Sequence, residues 1–418
     1  MYPVYRSIEH ICRSPMGNSL LSEKLELLQI YYPDYSTTFL EELLHSCDDD
    51  VEKTRALIEG PQPRKRSNLY QRSIFSHIKR RKECKDDQGF TSFSTKSYNH
   101  ASRVITLYTP EDVERHLGKF ASFYPNFLPE KLSNELLHDL KTNLSSYKAN
   151  EFYLFGNHCV SNHSVAVFSE YSKAKLDLIY NGLLIRNPVP YTNSFSKSVQ
   201  LLQDFLNDTI IPQTEPLPFQ RREKWAAEYC LVNYYEKLSN NLDWHSDRLS
   251  HIGPHNYIAS VSLGCTRLFR LRSNHKKNAP IFEIPLPHNS LLVMRPGCQE
   301  EYKHCVNSMS KSVALHPEVG STRFGLTFRH YPPEFIKNSP RCKCGLGMTL
   351  RRAFKSVDTR GRYFWSCENK YQNKDCGDFH WADFTNESNH YVAEDLSQVS
   401  TWVSPDDVEK IEYDKKEK

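Results

Sequence analysis

Six short runs rich in aliphatic and aromatic residues, all between Glu228 and His330, constrain the fold of this chain more than any other feature. Turn-forming Asn, Gly, Pro and Ser residues separate the runs at near-regular intervals, as is typical of antiparallel strands in a double sheet. The sequence therefore predicts a jelly-roll architecture here, formed by the runs 228–235, 257–263, 267–271, 281–286, 290–294 and 323–330.

The composition limits the class of protein. With 418 residues, of which 39% are hydrophobic and 25% charged, the chain is long enough for two or three domains with at least one substantial core. No run approaches the ~20 apolar residues that cross a bilayer, and residues 1–14 lack the apolar core of a signal peptide. We therefore expect a soluble intracellular protein, located in the nucleus with the cytoplasm as a second location, and no membrane partner.

Charge and cysteine content are informative through their distribution. The net charge of +4 is too small to indicate a nucleic-acid partner by itself. Of the twelve cysteines, eight are scattered singly and four lie in a short C-terminal stretch. Reduced thiols with one metal site fit an intracellular chain better than a disulfide framework does.

The sequence His245-Ser246-Asp247 lies inside the strand-rich region and has the spacing of two metal ligands. Ligands at positions i and i+2 place an imidazole and a carboxylate on one metal, and the distant His304 completes one face of an octahedron. This donor set suits Fe(II) and leaves positions open for a co-substrate and oxygen. Because the chain has eighteen histidines, a His-x-Asp pair alone is weak support.

Two arginines downstream strengthen the prediction of a metal site. Arg323 and Arg329 are six residues apart in a predicted strand, and this even offset puts both side chains on one face. Two cations directed into a barrel interior are costly unless anions meet them. A dicarboxylic co-substrate supplies such anions, and ordinary ion pairs are the alternative.

Together with Asn233-Tyr234-Tyr235, these motifs resemble the AlkB family of Fe(II)/2-oxoglutarate dioxygenases over residues 122–331, within a predicted domain of 107–333. The resemblance implies a central double-stranded β-helix (jelly roll) with flanking helices. It also implies oxidative removal of alkyl groups from nucleic-acid bases in alkylation repair, with DNA favoured over RNA as the partner. The implied site residues are His245, Asp247 and His304 for iron, and Asn233, Tyr235, Arg323 and Arg329 for 2-oxoglutarate.

Three further residues are candidates for substrate contact. Tyr153-Leu154-Phe155-Gly156 resembles the hairpin from which DNA-repair members insert an apolar wedge, and Phe155 would be that wedge. Tyr180 falls where relatives carry an aromatic residue that stacks on the flipped base, although burial in the core is the alternative for both aromatic residues. Arg248 follows the metal-binding aspartate, where members acting on double-stranded DNA usually have an acidic residue, so the base preference stays open.

The C-terminal cysteines form a second metal-binding pattern. A Cys-x-Cys pair followed by two single cysteines fits a closed tetrahedral Zn(II) site. The stretch 361–365, Gly-Arg-Tyr-Phe-Trp, resembles the signature of GRF zinc fingers and implies a small β-rich nucleic-acid-binding finger at 341–385, with a finger that contacts only protein as the alternative. The predicted zinc ligands are Cys342, Cys344, Cys367 and Cys376, and the predicted nucleic-acid contacts are Arg351, Arg352, Lys355, Arg360 and Arg362 with Phe354, Tyr363, Phe364 and Trp365.

The segments around the finger are predicted to be irregular. A linker centred on 337–340 is expected to separate the finger from the oxygenase as a distinct domain, because it contains proline and polar residues. Residues 386–418 are expected to form a polar tail.

The N-terminal region is predicted to be helical. Apolar residues recur at helical spacing in three short segments of residues 19–60. The arrangement resembles a ubiquitin-binding CUE domain, with Tyr31-Tyr32-Pro33 and Leu43-Leu44 at the family's Met-Phe-Pro and di-leucine positions; a helical bundle with another contact is the alternative. Residues 61–104 are predicted to be a basic linker, for which an import signal or phosphate contacts are alternatives.

Two other functions stay open on the sequence alone. The same iron chemistry could act on a protein side chain, or the chain could be a non-catalytic adaptor that joins ubiquitin to nucleic acid. The complete set of metal ligands and both arginines argue against the adaptor, and the finger argues against a protein substrate.

Overall fold

The computed structural model describes residues 103–367 and 378–417, apart from 155–156, 172–178, 181–182, 186, 277 and 311–313, together with scattered positions between Lys24 and Thr54. The chain divides into two compact units, residues 1–69 and 70–418. In the described part of the chain, no helix is both long and apolar enough to cross a membrane.

Fifteen described strands build two sheets and a short hairpin in the second unit. The strands are β1 (Val104–Thr106), β2 (Ala121–Tyr124), β3 (Lys148–Leu154), β4 (Asn157–Ser169), β5 (Ile179–Tyr180), β6 (Leu183–Leu184), β7 (Val189–Pro190), β8 (Tyr229–Tyr235), β9 (Leu242–His245), β10 (Ile258–Gly264), β11 (Arg267–Ser273), β12 (Ile281–Leu286), β13 (Ser290–Met294), β14 (Tyr302–Val306) and β15 (Arg323–Arg329).

The strands β8 to β15 are divided between the two sheets, with β8, β10, β13 and β15 in the larger and β9, β11, β12 and β14 in the smaller, which defines a double-stranded β-helix. The larger sheet has the order β2-β13-β10-β15-β8-β4-β3, with β7 beside β4, and the smaller sheet has the order β1-β12-β11-β14-β9. The six predicted runs coincide with β8, β10, β11, β12, β13 and β15, so the predicted central double sheet is confirmed.

Helices flank the sheets and cover the larger one. The helices of the second unit are α1 (Pro110–Leu117), α2 (Glu130–Thr142), α3 (Asn193–Phe205), α4 (Leu249–Ile252), α5 (Cys298–Glu301), α6 (Pro333–Asn338) and α7 (Val408–Lys416), with shorter turns at Leu144–Ser146, Leu206–Ile210, Ile211–Gln213, Glu387–Asn389 and Leu396–Gln398. Helix α1 begins where the sequence specifies it, because Thr109 and Asp112 form a capping box around Pro110. Helices α2 and α3 bury leucine, valine and phenylalanine side chains in one cluster with the larger sheet.

The C-terminal residues form a three-stranded sheet that packs directly on the oxygenase domain. This sheet has the order β16 (Thr349–Arg352), β17 (Tyr363–Ser366) and β18 (Phe379–Trp381). Leu350, Tyr363 and Trp365 share one hydrophobic cluster with Leu249 and Ile252 of helix α4. The Ser250 hydroxyl also accepts a hydrogen bond from the Leu350 N–H at 2.9 Å. We call residues 341–417 the C-terminal module.

Two predicted irregular segments are ordered instead. The predicted linker at 337–340 overlaps helix α6, which is anchored because Phe335 is buried and stacks on Tyr391 at 5.1 Å between ring centroids. The predicted polar tail contains the buried residues Trp402 and Asp407, followed by helix α7. The prediction of a separately tethered finger is therefore wrong, because apolar side chains from both regions exclude water together.

The first unit is described only at scattered positions. Leu28, Leu40 and Leu44 are helical and fully buried, and Leu25 and Val51 pack against them. Burial at this spacing agrees with amphipathic helices. The CUE-like domain at 19–60 stays a prediction, and the basic linker predicted at 61–104 lies almost entirely outside the described residues.

Candidate active site

The three predicted iron ligands converge at the edge of the smaller sheet. Strands β9 and β14 pair antiparallel with His245 opposite His304, and their ring centroids are 4.2 Å apart. Asp247 follows the end of β9 and places its Oδ1 3.8 Å from His245 Nε2. One ligand atom from each of the three residues lies within 4.8 Å of the others. Strand pairing thus joins two histidines that are 59 positions apart in the chain (304 − 245).

Hydrogen bonds hold the ligands in a metal-binding orientation. The carbonyl of Asp243 can only accept, so the His245 Nδ1–H donates to it at 2.7 Å and the Nε2 lone pair is left for the metal. The Asp247 N–H donates to Gln299 Oε1 at 2.8 Å. These contacts fix the imidazole tautomer and the loop that carries the carboxylate.

The electrostatics of the site favour the protonation states that bind a cation. Burial opposes ionisation of Asp247, but Arg329 and the two imidazoles outweigh it and lower the pKa of the carboxyl to about 2. Burial, assisted by His245, lowers the pKa of His304 to about 3. The carboxyl is therefore ionised and the buried imidazole neutral near neutral pH, as metal ligation requires.

The two oxygens of the Asp247 carboxylate have different contacts. Arg329 donates to Asp247 Oδ2 through Nε at 2.8 Å and approaches the same oxygen through Nη2 at 2.7 Å. Asp247 Oδ1 is the oxygen that faces His245. The charge-assisted contact fixes the carboxylate plane while one oxygen stays directed at the metal position.

Arg323 occupies a second, anion-seeking position on the same strand face. Its side chain is buried, donates from Nη2 to Ser262 Oγ at 2.7 Å, and lies with its Cζ 5.3 Å from the ring centroid of Tyr235. Among the described residues it has no carboxylate partner, and its buried Nε has no hydrogen-bond acceptor. Burial lowers the pKa of this guanidinium because it destabilises the charged form. An incoming carboxylate would stabilise that charged form again.

The space beside Arg323 depends on Gly325. A Cβ added at Gly325 would come within 2.6 Å of Arg323 Nη1, so the guanidinium lies against the glycine backbone. Ser262 is the cross-strand partner of Gly325, which explains how its hydroxyl reaches the arginine. Gly325 lies between the two arginines and Ser262 lies on another strand, and the spacing of the arginines indicates a role for neither residue.

His163 is a further site residue that the sequence did not indicate. Its ring stacks on Tyr235 with 5.4 Å between centroids, and its Nδ1 lies 3.1 Å from the Asn241 carbonyl. The side chain of His163 also interacts with the side chain of Asn233. Burial lowers the pKa of His163 to about 4, so the imidazole is neutral. His163 reaches the site because β4 pairs with β8, and no spacing pattern in the sequence indicates this residue.

The donor set fits Fe(II) and 2-oxoglutarate. Two imidazoles and one carboxylate on one side of a metal position are the ligands of the non-haem iron triad. A buried arginine without an anionic partner fits the far carboxylate of a dicarboxylic co-substrate. His245 keeps a side-chain exposure of 33%, so the site is open to solvent on that side.

The three candidate substrate residues are placed differently by the structure. Phe155 and the side chain of Tyr180 lie outside the described residues, although β5 includes the Tyr180 backbone. Arg248 is exposed directly after Asp247, at the start of helix α4. Arg248 is therefore beside the metal position, and the roles of all three stay predictions.

Three of the four predicted zinc ligands come together in the C-terminal module. The sulfurs of Cys342, Cys344 and Cys367 lie within 4.8 Å of one another, and those of Cys344 and Cys367 are 3.6 Å apart. Tetrahedral zinc with Zn–S bonds of about 2.3 Å requires sulfurs about 3.8 Å apart. The thiols therefore fit a zinc ion, while Cys376 lies outside the described residues.

The predicted nucleic-acid contacts of the module fall into two groups. Tyr363, Trp365, Arg352 and Arg360 are buried, so the prediction that they face nucleic acid is wrong. Alternation along β17 turns Phe364 outward instead. On this outer face Phe364, Phe379 and Trp381 form an aromatic cluster with 5.1–6.2 Å between centroids, and Arg362 Cζ lies 5.8 Å from the Trp381 ring.

Comparison with known proteins identifies the family. Residues 120–329, half of the chain, match the model of the 2OG-Fe(II) oxygenase superfamily. This region contains the double-stranded β-helix and all three converging iron ligands. The chain belongs to this superfamily.

Within the superfamily, the chain is similar to AlkB homologues. It is 33% identical over 121 residues to the alpha-ketoglutarate-dependent dioxygenase alkB homolog 3 of Mus musculus, covering 27% of this chain and 38% of that protein. It is 31% identical over 120 residues to the DNA oxidative demethylase ALKBH2 of Arabidopsis thaliana, covering 24% of this chain and 36% of that protein. The match thus spans little more than a third of these relatives. The solved structure of OsALKBH1 is 16% identical, with a TM-score of 0.34 and coverage of 52% of this chain and 99% of that one.

Proposed function

We propose that this chain is an Fe(II)- and 2-oxoglutarate-dependent dioxygenase that removes alkyl groups from nucleic-acid bases, in DNA alkylation repair. The observation that carries the proposal is the convergence of His245, Asp247 and His304 beside an ionised Asp247–Arg329 pair. The AlkB homologues support the nucleic-acid substrate, and the name of the Arabidopsis relative supports DNA.

The residues of the site have separate tasks in this reaction. His245, Asp247 and His304 would hold Fe(II), and Arg323 with Tyr235 would receive the far carboxylate of 2-oxoglutarate. When bound, Fe(II) and 2-oxoglutarate supply oxidation of an alkyl C–H bond by molecular oxygen, with 2-oxoglutarate decarboxylated to succinate. Arg329 keeps Asp247 ionised and oriented. The hydroxylated alkyl group then leaves the base as an aldehyde.

A panel of methylated oligonucleotides tests the proposal. The purified full chain is incubated with Fe(II), 2-oxoglutarate and single- or double-stranded DNA or RNA carrying one methylated base, and the product is measured by mass. We expect loss of the methyl group and an equal amount of succinate from at least one substrate. If hydroxylated protein forms while every oligonucleotide stays methylated, a protein substrate replaces nucleic acid in the proposal.

Replacing Arg323 with alanine is expected to raise the apparent KM for 2-oxoglutarate by about ten- to a hundredfold, because a charge-assisted contact is lost while the iron ligands stay in place. Gly325→Ala should raise the same KM, since the added Cβ displaces the guanidinium. Arg270→Ala is the matched control, because Arg270 pairs with Glu283 away from the site. An unchanged KM in Arg323→Ala would remove Arg323 from the co-substrate site.

We further propose that the C-terminal module binds one zinc ion through Cys342, Cys344, Cys367 and Cys376, and contacts single-stranded nucleic acid. The 3.6 Å separation of Cys344 and Cys367 sulfurs supports the metal, and the outer aromatic cluster supports the nucleic acid. Cys367→Ser is expected to reduce the zinc content measured by atomic emission from one per chain to near zero. Cys265→Ser, at a buried thiol outside the cluster, should keep the zinc.

We also propose that the chain is located in the nucleus and that its N-terminal region binds ubiquitin. The basic residues of 61–104 support import into the nucleus, and the buried leucines of 19–60 support a CUE-like module. Both follow from sequence patterns, and localisation of a tagged chain and titration with ubiquitin measure them directly.

A further inference from the structure

Three cations and two aromatic rings meet where the oxygenase domain touches the C-terminal module. Arg272 on β11 and Lys303 on β14 are direct cross-strand partners, and Arg272 Cζ lies 4.4 Å from the ring centroid of Trp244 on β9. The module adds Phe354, whose ring centroid is 5.9 Å from Lys303 Nζ, and the exposed Lys355. We call these five residues the junction surface.

The junction surface carries positive charge that the described residues do not neutralise. Like charges directly opposite on paired strands destabilise a sheet, and Arg272 and Lys303 are such a pair. Among the described residues, none of the three cations forms an ion pair. The neighbouring carboxylates are engaged elsewhere, because Glu283 pairs with Arg270 and Asp243 accepts from Asn241.

The surface is directly connected to the iron ligands. Trp244 immediately precedes His245, and Lys303 immediately precedes His304, so these side chains occupy the sheet face opposite the metal position. Strand β9 is the edge of its sheet, which leaves one side of this face uncovered by a further strand. A polymer bound here would lie on the same two strands as His245 and His304, on the opposite face of the sheet.

We propose that the junction surface binds a single-stranded segment of the nucleic-acid substrate, with three contact residues from the oxygenase sheet and two from the C-terminal module. Arg272, Lys303 and Lys355 contact phosphates, while Trp244 and Phe354 offer ring faces to bases, the combination that holds single strands. An acidic protein segment would satisfy the cations but leaves no role for the two rings. That the bound strand is the enzyme's substrate rests on the proposed function, whereas binding of a single strand does not.

Binding of an unmodified oligonucleotide tests the surface without any turnover. Fluorescence anisotropy with a labelled oligothymidine of about 15 nucleotides gives the Kd of the full chain at several salt concentrations. We expect Lys355→Glu to weaken binding about fivefold to tenfold and to reduce the salt slope by about 0.7 per lost phosphate contact. Phe354→Leu, which keeps an apolar side chain and removes the ring, is expected to weaken binding about fivefold.

Lys131→Glu is the matched control for charge. Lys131 is 89% exposed on helix α2 and makes only a 4.0 Å pair with Glu135, so this variant changes the net charge equally away from the surface. We expect it to bind within about twofold of wild type. If Lys355→Glu binds no more weakly than Lys131→Glu, the proposal is wrong. It is also wrong if polyglutamate of equal charge displaces the oligonucleotide as well as unlabelled oligothymidine does.

A second readout separates this proposal from the proposed function. A methylated trinucleotide is too short to reach from the active site across the surface, so its turnover should be the same in wild type and Lys355→Glu, whereas turnover of a long methylated strand should fall. Equal losses on both lengths overturn the surface. If no methylated strand is turned over at all, the proposed function fails, while the anisotropy comparison still decides the surface.

Discussion

Replacing Asp247 with alanine is expected to abolish iron-dependent consumption of 2-oxoglutarate, with a loss of more than roughly 100-fold, because removal even of supporting partners around a metal ligand costs 10–100-fold. The variant loses the only anionic protein ligand of the proposed site. It also removes the carboxylate that balances the charge of Arg329, whose side-chain exposure is 12%, beside two histidines. Both effects oppose binding of the Fe(II) cation at this position.

The measurement combines metal binding with turnover. Titration with Fe(II) under anaerobic conditions, or with Mn(II) as a stable substitute, gives the affinity, and succinate formation gives the turnover. Asp243→Ala is the matched control, because Asp243 accepts the hydrogen bond from His245 through its backbone carbonyl, which the substitution keeps. We expect the control to stay within about threefold of wild type. Substantial turnover by Asp247→Ala at saturating iron would rule out Asp247 as a ligand.

The core of the site was predictable because its signals are local. His245 and Asp247 are two residues apart, and Arg323 and Arg329 share one strand face by simple alternation. Even His304 was accessible, since it lies in a short strand downstream of the other ligands. Spacing within one loop places His245 and Asp247, and spacing within one strand places the two arginines. His304 reaches the site only through the pairing of β14 with β9.

The supporting residues were not predictable, because long-range packing alone defines them. Gln299 reaches Asp247 from helix α5, 52 residues away, and has no spacing relation to the motif. In the C-terminal module, cations and aromatic residues alternate so closely that composition could not show which of them are buried and which are exposed. Strand β17 resolves this by burying Tyr363 and Trp365 and turning Phe364 outward. Contacts between elements likewise explain two further features, since Arg352 is buried against the oxygenase domain and helix α6 is anchored by Phe335 on Tyr391.

Replacing Arg352 with alanine is expected to lower the free energy of unfolding of the second unit by about 3–5 kcal/mol, the cost of leaving one partner of a buried ion pair alone. Arg352 Nη2 lies 2.9 Å from Glu301 Oε1, and the side-chain exposures are 3% and 6%. Arg352 also donates to the carbonyls of Glu300 and Trp402 at 3.0–3.2 Å. Its removal would leave the Glu301 carboxylate with only the 3.6 Å approach of His275 Nδ1 and would take away both guanidinium donors to the Trp402 carbonyl. The Glu300 carbonyl would keep its hydrogen bond from Asn274 Nδ2.

Chemical denaturation with urea measures this change. Arg351→Ala is the matched control, because Arg351 is the next residue of β16 and its side chain is on the opposite, half-exposed face. We expect the control to cost less than about 1 kcal/mol. The double variant Arg352→Met with Glu301→Met should recover much of the loss, since removing both charges of a buried pair is far less costly than removing one.

The Arg352 substitution should also weaken metal binding at the iron site, which a purely local loss of stability in the module would not do. Arg352 holds helix α5 through Glu300 and Glu301, and Gln299 on the same helix accepts the Asp247 N–H. Loosening α5 therefore frees the loop that carries the Asp247 carboxylate. We expect Mn(II) affinity, measured below the unfolding transition, to fall several-fold in Arg352→Ala and to stay unchanged in Arg351→Ala. Equal affinities in the two variants would show that the module stabilises the fold without positioning the ligands.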